Sequence, residues 1–310
     1  MIARAIGLVV GYTADRLLGD PRRLHPVAGF GHLSQQLENV VYADSRARGV
    51  AHTAILVGGA AVLGALTERA SRPPVARVVT TAVATWMVLG GKSLEREAEA
   101  VHAHLLAGDL PAARERLTHL VGRDTADLDE SEIARAVIES VAENTSDAVV
   151  AALVWGAVAG VPGLVVYRAI NTLDAMVGHH NARYDNYGWA SARLDDLVNL
   201  PASRLSALLV LTAQPRRAAD AWHTWRRDAA GHPSPNGGVV EAAFAGALGI
   251  RLGGINRYYG DRIEHRAVLG DGRAAQANDI PAAIGLARRV GVASLLTCGF
   301  VAVSRSTRRA

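Results

Sequence analysis

The chain has 310 residues, half of them hydrophobic, with a formal net charge of +4 and a mean hydropathy of +0.14. That balance is too apolar for an ordinary soluble enzyme and too polar for a pure helical transporter, so it reads as a membrane protein with large water-facing parts. Cys298 is the one cysteine, which excludes an intrachain disulfide and a zinc cluster, and the lack of aromatic residues among the basic ones argues against nucleic acid.

The N-terminal stretch MIARAIGLVVGYTADRLLGDPRR carries an early Arg and an apolar run without a small-residue cleavage site, and predicts a retained first membrane helix. Further apolar runs fall near 50–66, 75–91, 148–170, 202–213, 239–250 and 290–303. Few reach the roughly 20 residues of a straight span. The best spans are 50–66 and 75–91, joined by the turn TERASRPP. Arg is present in almost every loop, so the charge of the loops orients the chain poorly.

Residues 92–140 differ from their surroundings. Helical periodicity, many charges and a Gly-Asp-Leu-Pro turn predict a soluble helical hairpin plus a third helix, with Ser131 as a cap. The chain as a whole, 1–310, then reads as a single integral membrane domain with 92–140 inserted in it. The GGKS of WMVLGGKS lacks the first Gly and the preceding strand of a P-loop, so Lys92 is read as the interface end of a span.

VAENTSDAVVAALVWGAVAGVPGLVVYRAINTLDAM, 141–176, places one polar knot at each end of an apolar segment. The half from Ala148 to Gly160 has 13 residues, about 20 Å of helix against a hydrocarbon core of about 30 Å. Pro162 and Gly163 then break the helix. The expectation is a re-entrant pair of half-helices with both knots on one face; the alternative is one kinked span, 149–170, with the knots on opposite faces. Arg135, Glu139, Glu143 and Asp147 are spaced four apart and share a helical face if the helix is unbroken. That pattern reads either as a Mg²⁺ or substrate-amine site or as a solvated face paired with Arg135.

Asn171 and Asp174, followed by the DDxxN of Asp195, Asp196 and Asn199, form a second acidic face that fits Mg²⁺, which takes one or two carboxylates and fills its shell with water and phosphate oxygens. The alternative is helix caps and Arg pairs such as Asp196 with Arg193. His179 and His180 are adjacent and cannot both face one site. Asn236-Gly237-Gly238 and Gly253-Gly254-Ile255-Asn256-Arg257 offer backbone N–H groups and a guanidinium, in outline a phosphate cradle. The region 214–289 is otherwise read as polar and loop-like. No strand alternation is sustained, which makes the fold class all-α: a polytopic helical membrane protein with short, partly re-entrant helices.

DRLLGDPRRLHPV, LVGRDTADLDESEIARAVIESVAENTSDAVVAALVW, YRAINTLDAMVGHHNARYDNYGWASARLDDLVNLPASRL and GHPSPNGGVVEAAFAGALGIRLGGINRYYG occur in this order over nearly the whole chain. Together they resemble the CobD/CbiB family of cobalamin biosynthesis, the adenosylcobinamide-phosphate synthases. One departure is Ala148, where the pattern leads one to expect Gly. The resemblance implies an integral membrane enzyme that joins adenosylcobyric acid to (R)-1-aminopropan-2-ol or its O-phosphate through an amide, using ATP and Mg²⁺. On that expectation Glu143, Asp147 and Asp174 are the catalytic candidates, and Asp147, Asp174, Asp195 and Asp196 the metal candidates. Asn144, Asn171, Arg193, Asn236, Gly237, Gly238, Gly254, Asn256 and Arg257 are the candidates for substrate and phosphate. The expected partners are the corrinoid, the amine, ATP and membrane lipid, with a homo-oligomer left open. The expected place is the cell membrane, with the motif loops in the cytoplasm. The runner-up is a Mg²⁺-dependent intramembrane prenyl or phosphoalcohol transferase, which would need a tunnel for a lipid tail and no ATP. A membrane sensor or scaffold is the reading from outside enzymology.

Overall fold

The computed structural model describes residues 2–20, 25–179, 181–258 and 262–307, without the side chains of 257–258, 262–263 and 305–307. His180 and the Arg257 side chain therefore lie outside the described residues. The chain is 78% helical, which upholds the all-α class. Among the described residues four stretches are long and apolar enough to cross a membrane: Arg46–Ala70, Pro74–Leu106, Glu130–Val177 and Ala277–Ser304. The expected first span is helix α1, Ile2–Leu18, which is not among those four.

The chain divides into two compact units. The first holds residues 1–90, 147–199 and 295–310. In it, α1 packs on α4 (Pro74–Val88), and α3 (Arg46–Ala70) and α4 pack on α8 (Ala151–Val177); α2 (Pro26–Val41) lies against α8. Small residues permit these close approaches. A Cβ on Gly7 or Gly11 would collide with Thr81 or Thr85 across the α1–α4 contact.

Helix α8 folds back on itself, as its short first half predicts. Gly160 sits at φ 69°, ψ −145°, a conformation that L-residues avoid, and Pro162 follows it. A Cβ on Gly163 would strike the Trp155 carbonyl, and one on Gly156 would strike Leu164, contacts that a straight helix cannot make across eight residues. The Tyr167 hydroxyl donates to the Asp147 carbonyl at 2.7 Å, so the two polar knots meet at one mouth.

The break frees backbone groups that lipid cannot satisfy. The Val161 N–H donates to Glu68 Oε2 at 3.0 Å, and Arg4 pairs with Glu68 Oε1 at 2.8 Å while donating to the Ala157 carbonyl at 3.3 Å. An Arg-Glu pair thus caps the hairpin tip. Glu68→Ala is expected to cost about 2 kcal/mol, because it strands both the amide and the guanidinium. A thermal melt of the detergent-solubilised protein, with Glu68→Gln as the milder variant, measures it.

The second unit holds residues 91–146 and 200–294. Helices α5 (Gly91–Leu106) and α6 (Leu110–Leu117) form the predicted hairpin, and α7 (Glu130–Thr145) is the third helix. The N-cap of α7 is Asp129 rather than Ser131. Asp129 Oδ1 accepts the Glu132 amide at 2.8 Å and the Glu132 side chain returns to the Asp129 amide at 3.0 Å, a reciprocal pair that Ser131, two residues later and already inside the helix, does not form; its hydroxyl goes to the Ala275 carbonyl. Helix α7 is not broken at the polar knot. It continues through a π turn over 146–150 that contains Ala148.

The loop-like reading of 214–289 needs correcting. This stretch forms α10 (Ala218–Asp228), α11 (Gly237–Leu248) and an antiparallel hairpin of β1 (Ile250–Tyr258) and β2 (Arg262–Leu269), with β3 (Arg273–Ala274) parallel to β1. The register slips between Leu252 and Gly254, and this breaks the period of two on which a strand reading depends. Helix α11 is almost wholly buried, wrapped by α7, α10 and the hairpin. Helices α9 (Trp189–Ala213) and α12 (Ile280–Thr307) complete the chain.

Candidate functional sites

In the first unit the mouth of the α8 hairpin gathers polar groups. Besides the Asp147 carbonyl, the Tyr167 hydroxyl contacts Asn199 Oδ1 at 2.9 Å. Asn199 Nδ2 donates to Asp195 Oδ2 at 2.9 Å, and Asn171 Nδ2 approaches Asp195 Oδ1 at 3.4 Å. Burial, and then the neighbouring Asp174 carboxylate, push the Asp195 carboxyl up to about 7. Asn171, Asp174 and Asp195 thus come together, joined by Tyr167 and Asn199. Asp196 stands apart in a half-exposed pair with Arg193 at 3.8 Å, the alternative foreseen for it. Among the described residues, no group of three or more His, Cys, Asp or Glu side chains is placed to hold a metal ion by itself.

The second unit carries a cluster that sequence reasoning found only in part. Glu139, 5% exposed, receives Arg123 at 2.7 Å and the Gly253 amide at 2.8 Å, with Arg135 at 3.6 Å. Arg135 also donates to the Gly253 and Ile255 carbonyls. The glycine loop therefore does cradle an anion with its backbone, and that anion is the Glu139 carboxylate. Arg123 donates onward to Asn256 Oδ1. Gly254, at φ 97°, lies beside Arg135.

Glu143 stands one turn after Glu139, opposite Gly237, where a Cβ would sit 3.5 Å from Glu143 Oε1 and 3.2 Å from the His232 ring. Glu241 of α11 is 1% exposed, and its Oε1 lies 3.5 Å from His232 Nε2. The Ser234 amide donates to His232 Nδ1 at 3.1 Å, and His232 Nε2 lies between Glu241 and the Arg266 guanidinium, 3.4 Å from the latter. Burial, then the Glu139 and Glu143 carboxylates, push the Glu241 carboxyl well above its usual range. Burial, then Arg266, lower the His232 imidazole.

The remaining candidates do local work. Asn144 Nδ2 donates to the Ser140 carbonyl at 2.9 Å. Asn236 Oδ1 accepts from Ser203 at 2.9 Å and Arg204 at 2.7 Å. The Asn236 and Gly237 amides both go to Ser234 Oγ, and Gly238 packs against His232. Arg123, His232, Glu241 and Arg266 were not picked out in the sequence. One signal existed: Glu241 is the lone charge in the apolar run GGVVEAAFAGAL.

A family model described as CobD/Cbib protein matches residues 8–287. Three curated relatives bear the name cobalamin biosynthesis protein CobD. That of Mycobacterium tuberculosis is 48% identical over 93% of this chain and 92% of its own. That of Chromobacterium violaceum is 44% identical over 92% of each chain, and that of Rhodobacter capsulatus 41% over 96% of each. No solved structure matches the chain.

Proposed function

The chain belongs to the CobD/CbiB family of cobalamin biosynthesis, and on that premise we propose that it forms an amide between a corrinoid carboxylate and (R)-1-aminopropan-2-ol or its O-phosphate, at the expense of ATP. The observation that carries this reading is the meeting of the two polar knots at the mouth of the α8 hairpin, where hard oxygen donors collect beside apolar helices.

Mg²⁺ fits that mouth. The Asp174 carboxylate opposes the ionisation of Asp195, a conflict that a cation between them relieves, and the Asn171 and Asn199 Nδ2 groups hold the Asp195 carboxylate in place. Asp174 and Asp195 would hold the ion, with Asp147 further out. When bound, it neutralises charge on the phosphates.

The chemistry has two stages. A corrinoid carboxylate oxygen attacks the γ-phosphorus of ATP, the bond to the bridging oxygen breaks, and ADP leaves with its electron pair. The amine then attacks the acyl carbon, and phosphate departs with the C–O electron pair. For that attack the ammonium must lose a proton, and Glu143 is the acceptor we assign. Arg257 is assigned to a phosphate. The mouth is proposed to open to the cytoplasm, where ATP is found.

A second reading has one observation in its favour. A cavity of about 800 Å³ in the first unit is lined mainly by apolar side chains, among them Phe30, Leu37, Leu63, Met87 and Val165, with Arg168 at its wall. An intramembrane transferase needs such a space for a lipid tail.

Mass spectrometry of the corrinoid, in micelles supplied with adenosylcobyric acid, ATP, Mg²⁺ and either amine, decides between them. The expected result is an amide product that requires ATP. Product without ATP overturns the ligase mechanism. No product with either amine from folded protein moves the assignment to the transferase.

A further inference from the structure

Glu241 poses a problem that the proposed reaction has not used. It is a carboxylate in an apolar helix, 1% exposed, and its Oε2 has no hydrogen-bond partner among the described residues. Such a group costs several kcal/mol when ionised and unpaired. A chain gains nothing by keeping it for packing, since Gln or Leu would fill the same space. Glu143, one turn beyond the fully engaged Glu139, makes no hydrogen bond among the described residues, and Arg266, Glu139 and Arg123 are the charges that act on it. Asn256, 2% exposed, leaves its Nδ2 without an acceptor among those residues, while its Oδ1 is taken by Arg123.

These three groups define a complementary ligand. Two carboxylates call for a donor with several N–H groups, and a primary ammonium supplies three. The spare amide N–H of Asn256 calls for an oxygen. A divalent cation is the weaker candidate, because among the described residues no group of three His, Cys, Asp or Glu side chains is placed to hold a metal ion.

We propose that Glu241 and Glu143, in the second unit, form the binding site for the primary amine, with Asn256 receiving its hydroxyl or phosphate oxygen. The inference deepens the amide-ligation reading and rests on it for the amine's identity. Glu139 stays paired with Arg123 and the Gly253 amide, and so holds the loop that carries Asn256. The His232 ring packs beside Glu241, its Nε2 3.5 Å from Glu241 Oε1, and walls that side of the carboxyl. Bound here, the ammonium brings its own charge to the glutamates. Either carboxylate can then take a proton from nitrogen, leaving the lone pair free.

The test is calorimetric binding of 1-aminopropan-2-ol and of its O-phosphate to the full chain in micelles, with propane-1,2-diol as the amine-free control and MgCl₂ titrated separately. Wild type is expected to bind the amines and not the diol. Glu241→Gln should weaken amine binding at least about tenfold, a loss of about 1.4 kcal/mol. Glu241→Asp keeps the charge and should retain part of the affinity, and size-exclusion profiles identify any variant that fails to fold. Unchanged amine affinity in folded Glu241→Gln, equal binding of the diol, or Mg²⁺ binding that Glu241→Gln removes while amine binding persists would each overturn the proposal. Because binding is read without ATP or corrinoid, an amine that binds but yields no amide overturns the reaction and leaves the site standing.

Discussion

Asp174→Asn and Asp195→Asn are each expected to lower amide formation at least about 100-fold, roughly 2.7 kcal/mol in the barrier, with the protein still folded in micelles. Both side chains belong to the knot at the hairpin mouth, and each amide keeps the shape while removing the charge that a cation needs. Asp196→Asn serves as the internal control. Its carboxylate is half-exposed and already faces Arg193, so a loss below about threefold is expected. Equal losses from all three would point to general electrostatics rather than a site.

The same residue makes a prediction that needs no substrate. The folded pKa of Asp195, about 7, lies above its ordinary value of 3.8. The folded state therefore holds the proton more tightly than the unfolded chain does. Stability is greatest while the carboxyl is protonated and falls as pH rises from about 4 toward 7. Asp195→Asn lacks that loss. In chelator, its melting temperature should gain on wild type as the pH is raised, and a constant difference between the two would count against the burial argument.

How far the sequence led can be judged from these residues. The hairpin was legible because its cause is local: a 13-residue half-helix, then Val161-Pro162-Gly163, in a stretch too short to span. The meeting of Asp147 with the 167–174 knot follows from that geometry, since a hairpin brings its two ends together. Asn171, Asp174 and Asp195 were legible from helical spacing. What supports the hairpin tip was not, because Arg4 and Glu68 lie about 150 and 90 residues away from it in sequence.

The glutamate cluster was half legible for the same reason. Glu139 and Glu143 fall four apart on one helix, and the eye can pair them. Glu241 reaches them only because α11 is buried against α7, which no local pattern announces. The β-hairpin was missed where Gly253 interrupts the alternation, and of the amides read as a phosphate cradle that of Gly253 serves Glu139 and those of Asn236 and Gly237 serve Ser234. Glycine loops advertise free N–H groups without saying which anion takes them.

Glu143→Gln should separate the two stages of the reaction. The substitution preserves volume and removes no hydrogen bond among the described residues, so folding should be unaffected. Amide formation is expected to fall at least about 100-fold, in the range of losing a general base. Activation of the corrinoid carboxylate should survive, because the groups assigned to phosphate and Mg²⁺ are elsewhere in the sequence. Hydroxylamine provides the readout: it is a nucleophile that needs no deprotonation near neutral pH and intercepts an acyl phosphate as a hydroxamate. ATP-dependent hydroxamate at a wild-type rate, with amide nearly absent, places Glu143 at the amine. Loss of both products would move Glu143 to the activation step. A variant that keeps more than about a tenth of its amide-forming activity, a barrier change under about 1.4 kcal/mol, would remove Glu143 from the chemistry and leave Glu241 as the proton acceptor to test next.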